Sequence, residues 1–283
     1  MNAKTFAVIF VLATGAVFAQ ASKSPAKSQA PKSQAPKQRT FDSPEAATKT
    51  LIDAAAQNDT ATLAAILGSS ARGILTSGDT KEDQSERAEF ARIANEKHQI
   101  EKSTVNAHVR ILVVGDQQWP FPIPLIEEGQ RWRFDPARGA MEMRARLIGE
   151  DELDAIGACA AYVTAQQAYA AKKRTPAGTE EYAQTISSLS VPQRFAEAAE
   201  PSAAKPYHGY YFRVLKAGEH PWVVGKVMMG GFGLVAWPAQ YGVTGIHTFL
   251  VNQDGVVFEK DRGAKTTTPL TRYEVNDSWK AVD

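Results

Sequence analysis

Residues 245–260 read GIHTFLVNQDGVVFEK, and this stretch decides the fold of the C-terminal half. Apolar side chains fill two short runs on either side of Asp254-Gly255, a residue pair that favours a tight turn between antiparallel strands. The pattern therefore predicts a hairpin, and an antiparallel sheet of four or five strands around it. The strand candidates are 208–215, 221–228, 231–237, 245–252 and 256–260.

A long helix is predicted just before these strands, over residues 150–173. Its apolar stripe is formed by Leu153, Ile156, Ala160 and Val163. The acidic cluster at 150–154 is interpreted as a complement to the dipole at the helix start. A helix laid on an antiparallel sheet indicates an α+β fold.

The N-terminal half shows helix signals followed by a change of period. Ser43 is a suitable N-cap, with Pro44 at the first helical position, and a third helix is predicted over 81–98. Apolar residues then alternate from Val105 to Val113, which predicts a half-buried strand. Residues 41–147 are therefore predicted to pack helices on a small curved antiparallel sheet. The predicted segments are 1–19, 20–40, 41–147 and 148–283.

The N-terminus has the pattern of a cleavable signal peptide. Lys4 precedes an apolar run, and residues 17–19 (VFA) predict cleavage after Ala19. A retained anchor is the alternative, although the run is short for a membrane span. Residues 20–40 lack large apolar side chains and predict a flexible linker. We expect a periplasmic or secreted protein that is not an integral membrane protein after cleavage.

Charge is distributed unevenly along the chain. Six of the 32 basic residues precede residue 41, whereas all 31 acidic residues follow it. Because nucleic-acid binding needs a clustered basic face, this acidic body predicts no nucleic-acid partner.

Five runs of sequence are long and distinctive, namely WPFPIPL at 119–125, RWRFD at 131–135, YHGYYFR at 207–213, VAWPAQYG at 235–242 and TFLVNQDG at 248–255. Together they resemble an exported bacterial family, domain of unknown function 2950 (DUF2950). The resemblance covers roughly residues 41–282, and it implies no activity. The C-terminal half is also similar to the globular heads of type IV pilins and pseudopilins, and the N-terminal half loosely resembles the cone-shaped NTF2-like superfamily.

No motif predicts a catalytic centre, a cofactor or a metal. The five histidines include no HExxH pair, although His208 and His247 could converge with Asp254 or Asp261. Cys159 lies among alanines and is interpreted as a buried side chain. The glycine-rich run 230–233 is followed by a strand, so it predicts close backbone packing rather than a phosphate loop.

Four aromatic residues are candidates for a binding patch. Trp119, Phe121, Trp237 and Tyr241 lie beside proline or glycine in extended segments, where rings can form a recognition surface. The alternative is that they close the ends of the core.

The sequence thus predicts a non-enzymatic binding or assembly module of the cell envelope, whose partner is an unknown envelope protein or surface. One alternative is a small-ligand binder or hydrolase-like enzyme that uses a cavity in the N-terminal lobe, near Asp79, His98 and Arg110. Another is association with peptidoglycan or polysaccharide through the basic linker.

Overall fold

The computed structural model describes residues 38–68, 78–199 and 205–282. The predicted signal peptide and nearly all of the predicted linker lie outside these ranges. The chain divides into two compact units, with the division between Met143 and Arg144. Within the described ranges, no helix is both long and apolar enough to cross a membrane.

In the part of the first unit that the structure describes, three helices precede the sheet, and each begins at a side-chain cap. Ser43, Asp59 and Asp79 accept hydrogen bonds from backbone N–H groups of the first helical turn. Such caps satisfy donors that have no partner inside a helix. The helices are α1 (Pro44–Ala56), α2 (Thr60–Leu67) and α3 (Thr80–Glu96).

An antiparallel sheet follows these helices, and its first strand was not predicted. The strands are β1 (His98–Lys102), β2 (Val109–Val114), β3 (Trp119–Pro120), β4 (Leu125–Glu128) and β5 (Arg131–Phe134). Their order is β1-β2-β4-β5, with β3 also paired to β2. The strand predicted from Val105 is wrong over its first four residues. Ser103 begins a turn there, because its hydroxyl accepts from the N–H groups of Val105 and Asn106.

The long helix α4 runs from Pro136 to Ala170, so the predicted start at Glu150 is wrong. Asp135 supplies the cap, because its carboxylate accepts from the N–H groups of Ala137 and Arg138 at 3.2 Å. Proline then occupies the first helical position, where its missing N–H costs nothing. The acidic cluster at 150–154 therefore lies inside a helix and not at its positive end.

The second unit contains a five-stranded antiparallel sheet, in the order β12-β11-β10-β9-β6. Its strands are β6 (Tyr210–Leu215), β9 (Gly233–Pro238), β10 (His247–Asn252), β11 (Phe258–Asp261) and β12 (Lys280–Ala281), while β7 (Val223–Val224) and β8 (Val227–Met228) form a separate hairpin. The predicted strand 221–228 is therefore this hairpin. A short helix, α5 (Gln193–Glu197), lies between α4 and β6.

The core of the second unit lies between α4 and this sheet. Tyr162 and Cys159 of α4 are fully buried in the same cluster as Phe212, Leu234 and Phe249 of the sheet. Burial also raises the pKa of the Cys159 thiol to about 12, so at neutral pH it is a packed, unreactive side chain. The α+β architecture, with helices and antiparallel sheets, is as predicted.

Candidate functional site

A cleft of about 340 Å³ opens in the second unit beside the C-terminal end of α4. This volume is at the lower end of the range for small-molecule sites. One wall is the last turns of α4, the opposite wall is the segment 180–182, and the loop after β10 closes one end. The lining residues are Gln167, Ala170, Ala171, Arg174, Glu180, Tyr182, Phe232 and Gln253.

A chain of polar contacts fixes the charged side chains of this cleft. The Glu180 carboxylate lies 3.5 Å from the Arg174 guanidinium and accepts a 3.1 Å hydrogen bond from the Tyr182 hydroxyl. Arg174 also donates to the Gly178 carbonyl at 2.9 Å. Partial burial, together with the bond to Glu180, raises the pKa of Tyr182, so its hydroxyl keeps its proton. The cleft therefore carries one cation and one anion.

A buried glutamine joins the two walls of the cleft. The Gln166 side chain, on α4, donates to the Ala183 carbonyl at 2.7 Å and accepts from the Ala183 N–H at 2.9 Å. It also donates to the Tyr162 hydroxyl at 2.8 Å. Because Ala183 follows Tyr182 directly, this clamp holds the Tyr182 ring beside the helix. The cleft is thus formed before any ligand enters.

The Phe232 side chain is fully buried at the base of the cleft, and its ring lies 4.9 Å from the Tyr182 ring. Its backbone N–H donates to the Gln253 side chain at 3.4 Å. The neighbouring glycines allow this strand to approach Trp222, since a β-carbon on Gly231 or Gly233 would lie within 3.1 Å of the indole. The glycine-rich run is therefore close backbone packing, as the sequence predicted.

A second polar cluster lies at the other end of β10. The Glu152 carboxylate accepts from the N–H groups of Ile246 and His247 at 2.8 and 2.9 Å, and its two oxygens lie 3.1 Å from His247 Nδ1. The Tyr210 hydroxyl donates to the His247 carbonyl at 3.0 Å. Glu152 thereby holds the start of β10 against α4.

Two further carboxylates of the same helical turn face the loop before β6. Asp154 lies 2.7 Å from His208 Nδ1. Asp151 faces Gly209, where a β-carbon would lie 2.4 Å from its oxygen. Burial, and then the nearby carboxylates of Asp154 and Glu150, raise the pKa of Asp151 to about 6. The side chains of both histidines thus contact α4 carboxylates, and His247 also lies opposite Asp261 in the β10–β11 ladder.

The sequence interpretation missed this cluster because it placed the helix start at Glu150. Asp135-Pro136 was the overlooked signal, since it combines an N-cap with the proline preferred at the first helical position. Once the helix begins there, the four acidic residues at 150–154 lie inside the helix and need another explanation than the dipole. Within the described ranges, no group of three or more histidine, cysteine or acidic side chains is arranged to hold a metal ion.

The four aromatic candidates lie in two places. Phe121 is buried in the first unit, with its ring 5.4 Å from that of Phe90 and 6.3 Å from that of half-buried Trp119. Trp237 is buried in β9, whereas Tyr241 is 39% exposed and donates to the Asp261 carboxylate at 3.1 Å. Only Tyr241 of the four is classed as exposed, and a binding role for these residues stays a prediction.

The three charged residues proposed for an N-terminal cavity occupy separate positions. Asp79 caps α3. His98 and Arg110 lie at opposite ends of the β1–β2 ladder, where they pair with Val114 and Lys102. Four ladder positions separate them, which is about 13 Å along a strand.

Fold and cleft together define a two-unit α+β protein with a preformed polar cleft in its second unit. The family model for "Protein of unknown function (DUF2950)" matches residues 38–194 and 190–282, so the chain belongs to this family. No curated protein and no solved structure matches the chain.

Proposed function

We propose that the protein is a non-enzymatic binding module of the cell envelope and that the cleft beside the end of α4 is its ligand site. The observation that carries the proposal is the clamp between Gln166 and Ala183. It fixes the Tyr182 wall through two hydrogen bonds that are buried and need no ligand. A wall held in this way lowers the entropy that a ligand must overcome on binding.

The structural role of the Glu152 carboxylate also favours a binding function over catalysis. A general acid or base must reach a substrate atom. Both oxygens of Glu152 are instead engaged with His247, and one of them also accepts two backbone N–H groups. This carboxylate therefore has a structural task, which is to anchor β10.

Export is part of the same proposal and rests on the first nineteen residues of the sequence. A protein collected outside the cytoplasm of a bacterial host should begin at Gln20, because Val17 and Ala19 occupy the two positions that a signal peptidase reads. N-terminal sequencing of the exported protein tests this. A chain that keeps Met1 and stays in the membrane fraction would contradict it.

Assembly with an envelope partner is the second candidate. It is favoured by the order of a long helix followed by an antiparallel sheet, which is also the order in the heads of type IV pilins. The likeness is to the globular head alone. In this case the second unit would bind another protein through a surface and not a small molecule through the cleft.

A thermal-shift experiment tests the binding function. The purified protein is heated with the low-molecular-mass and the polymer fractions of a bacterial envelope extract. A ligand that binds the folded state raises the Tm. We expect a rise that is lost in Tyr182→Ala and kept in Leu153→Ala, which removes an exposed side chain in the middle of α4. Equal shifts in both variants would refute the assignment of the cleft.

A further inference from the structure

We propose that the cleft takes a neutral polyhydroxylated ligand, namely a sugar ring, with its apolar face against Tyr182 and its hydroxyls on Glu180, Arg174 and the two glutamines. The inference rests on the proposed function and names the ligand class of the same site.

Charge excludes the ionic alternatives first. The lining contains one cation, Arg174, and one anion, Glu180, only 3.5 Å apart. The last carbonyls of α4 add a partial negative charge to the helical wall. An anionic ligand would have to compete with Glu180 for the guanidinium, and a cationic ligand would have to compete with Arg174 for the carboxylate. A neutral ligand leaves this pair intact.

Hydrogen-bonding capacity then selects hydroxyl groups. The cleft presents donors on Arg174 and acceptors on Glu180, while the side-chain amides of Gln167 and Gln253 offer both. A hydroxyl group donates and accepts at one atom, so it satisfies such a mixed lining without leaving a polar group unpaired. A ligand with several hydroxyls around one ring meets all of these side chains at once.

The apolar surface of the cleft matches the other face of such a ring. The Tyr182 ring is half-buried and lies 4.9 Å from that of Phe232. On the facing helical wall, the small side chains of Ala170 and Ala171 leave space for a ligand. The C–H groups of a sugar pack on an aromatic face, while its hydroxyls point outward to polar groups. A volume of about 340 Å³ suits one or two rings.

The test measures binding to the purified protein by saturation-transfer NMR and calorimetry. The probes are the methyl glycosides of glucose, galactose and N-acetylglucosamine, with glutamate and a neutral dipeptide as counter-probes. We expect one glycoside to bind and the affinity to fall about tenfold or more in Tyr182→Ala and in Glu180→Gln. Leu153→Ala, which removes an exposed side chain in the middle of α4, is the control and should bind normally. Glu180→Gln keeps the proposal testable if Tyr182→Ala fails to fold.

The outcomes separate the ligand class from the proposed function. If a counter-probe binds and depends on Tyr182, while no glycoside does, the sugar assignment is wrong and the binding function stands. If neither the probes nor the envelope fractions bind, the sugar assignment and the proposed binding function are both wrong. A parallel arm with insoluble peptidoglycan sacculi separates the sources. Retention on sacculi that is lost in Glu180→Gln indicates a polymer, and binding to glycosides alone indicates a free sugar.

Discussion

At the scale of single residues, Glu152 illustrates how one carboxylate can organise a strand. Its side chain is only 16% exposed and accepts from two adjacent backbone N–H groups and one imidazole. Removing it leaves those N–H groups near the helix with no charged acceptor.

We therefore predict that Glu152→Ala lowers the free energy of unfolding by about 2–3 kcal/mol, the usual cost of losing a charged hydrogen-bonding group. Glu150→Ala is the control, because Glu150 is exposed and lies on the same helical turn. It should change stability by less than about 0.5 kcal/mol. Urea unfolding at pH 7 measures both variants. Equal effects would mean that Glu152 is not an anchor.

Asp151 predicts a pH dependence with a defined sign. Its pKa rises from 3.8 to about 6 in the folded chain, chiefly through burial. The folded state therefore holds this proton more tightly than the unfolded state. The resulting stabilisation is complete below about pH 4 and is lost as the pH rises through about 6. At neutral pH the ionised carboxylate is a net cost to the fold.

Accordingly, Asp151→Asn should be more stable than the wild type at pH 7, by about 1 kcal/mol once solvent screening is allowed for. The difference should vanish near pH 4, where the wild-type carboxyl is protonated. Thermal unfolding across this range measures it, with Glu219→Gln as the exposed control. A variant that is less stable than the wild type at pH 7 would contradict the burial of this group.

At the scale of elements, local signals predicted the start of α1 and the turn after β10, whereas the alternation from Val105 predicted a strand that begins only at Val109. Ser43 and Pro44 mark the start of α1, and Asp254-Gly255 forms a turn directly after β10. Each signal involves only neighbouring residues, so it can be recognised from the sequence without knowledge of the tertiary fold. Elements whose existence depends on distant partners were missed. β12 has only two residues and exists because it pairs with β11.

The two polar clusters were also missed because they depend on contacts between residues that are distant in sequence. Glu152 contacts residues more than 90 positions away, and Gln166 contacts Ala183 across a turn. No spacing rule links these residues, because the tertiary fold alone brings them together. A polar residue such as Gln166 inside an apolar helical stripe was the available signal, since a buried amide must find partners.

Gln166 also gives a prediction at this scale. Gln166→Met keeps most of the volume but leaves the N–H and carbonyl of Ala183 without their partners. We expect a loss of about 2–3 kcal/mol, the cost of burying unpaired backbone groups. Gln167→Met, on the exposed neighbouring position, is the matched control and should be nearly neutral. Amide hydrogen exchange at Ala183 should accelerate in the first variant only.

At the scale of the whole molecule, each unit has its own buried core, one around Phe90, Phe121 and Phe134 and the other around Tyr162, Phe212 and Phe249. The described cleft belongs to the second unit alone. We therefore expect the ligand to bind within residues 144–283, without a contribution from the first unit.

Amide chemical-shift mapping tests this claim most directly. The ¹⁵N-labelled protein is titrated with the low-molecular-mass fraction of a bacterial envelope extract. We expect the largest amide shifts at Ala171, Tyr182, Phe232 and Gln253, and we expect them to disappear in Tyr182→Ala. Shifts confined to residues before Met143, or centred on Glu152 and His247, would contradict it.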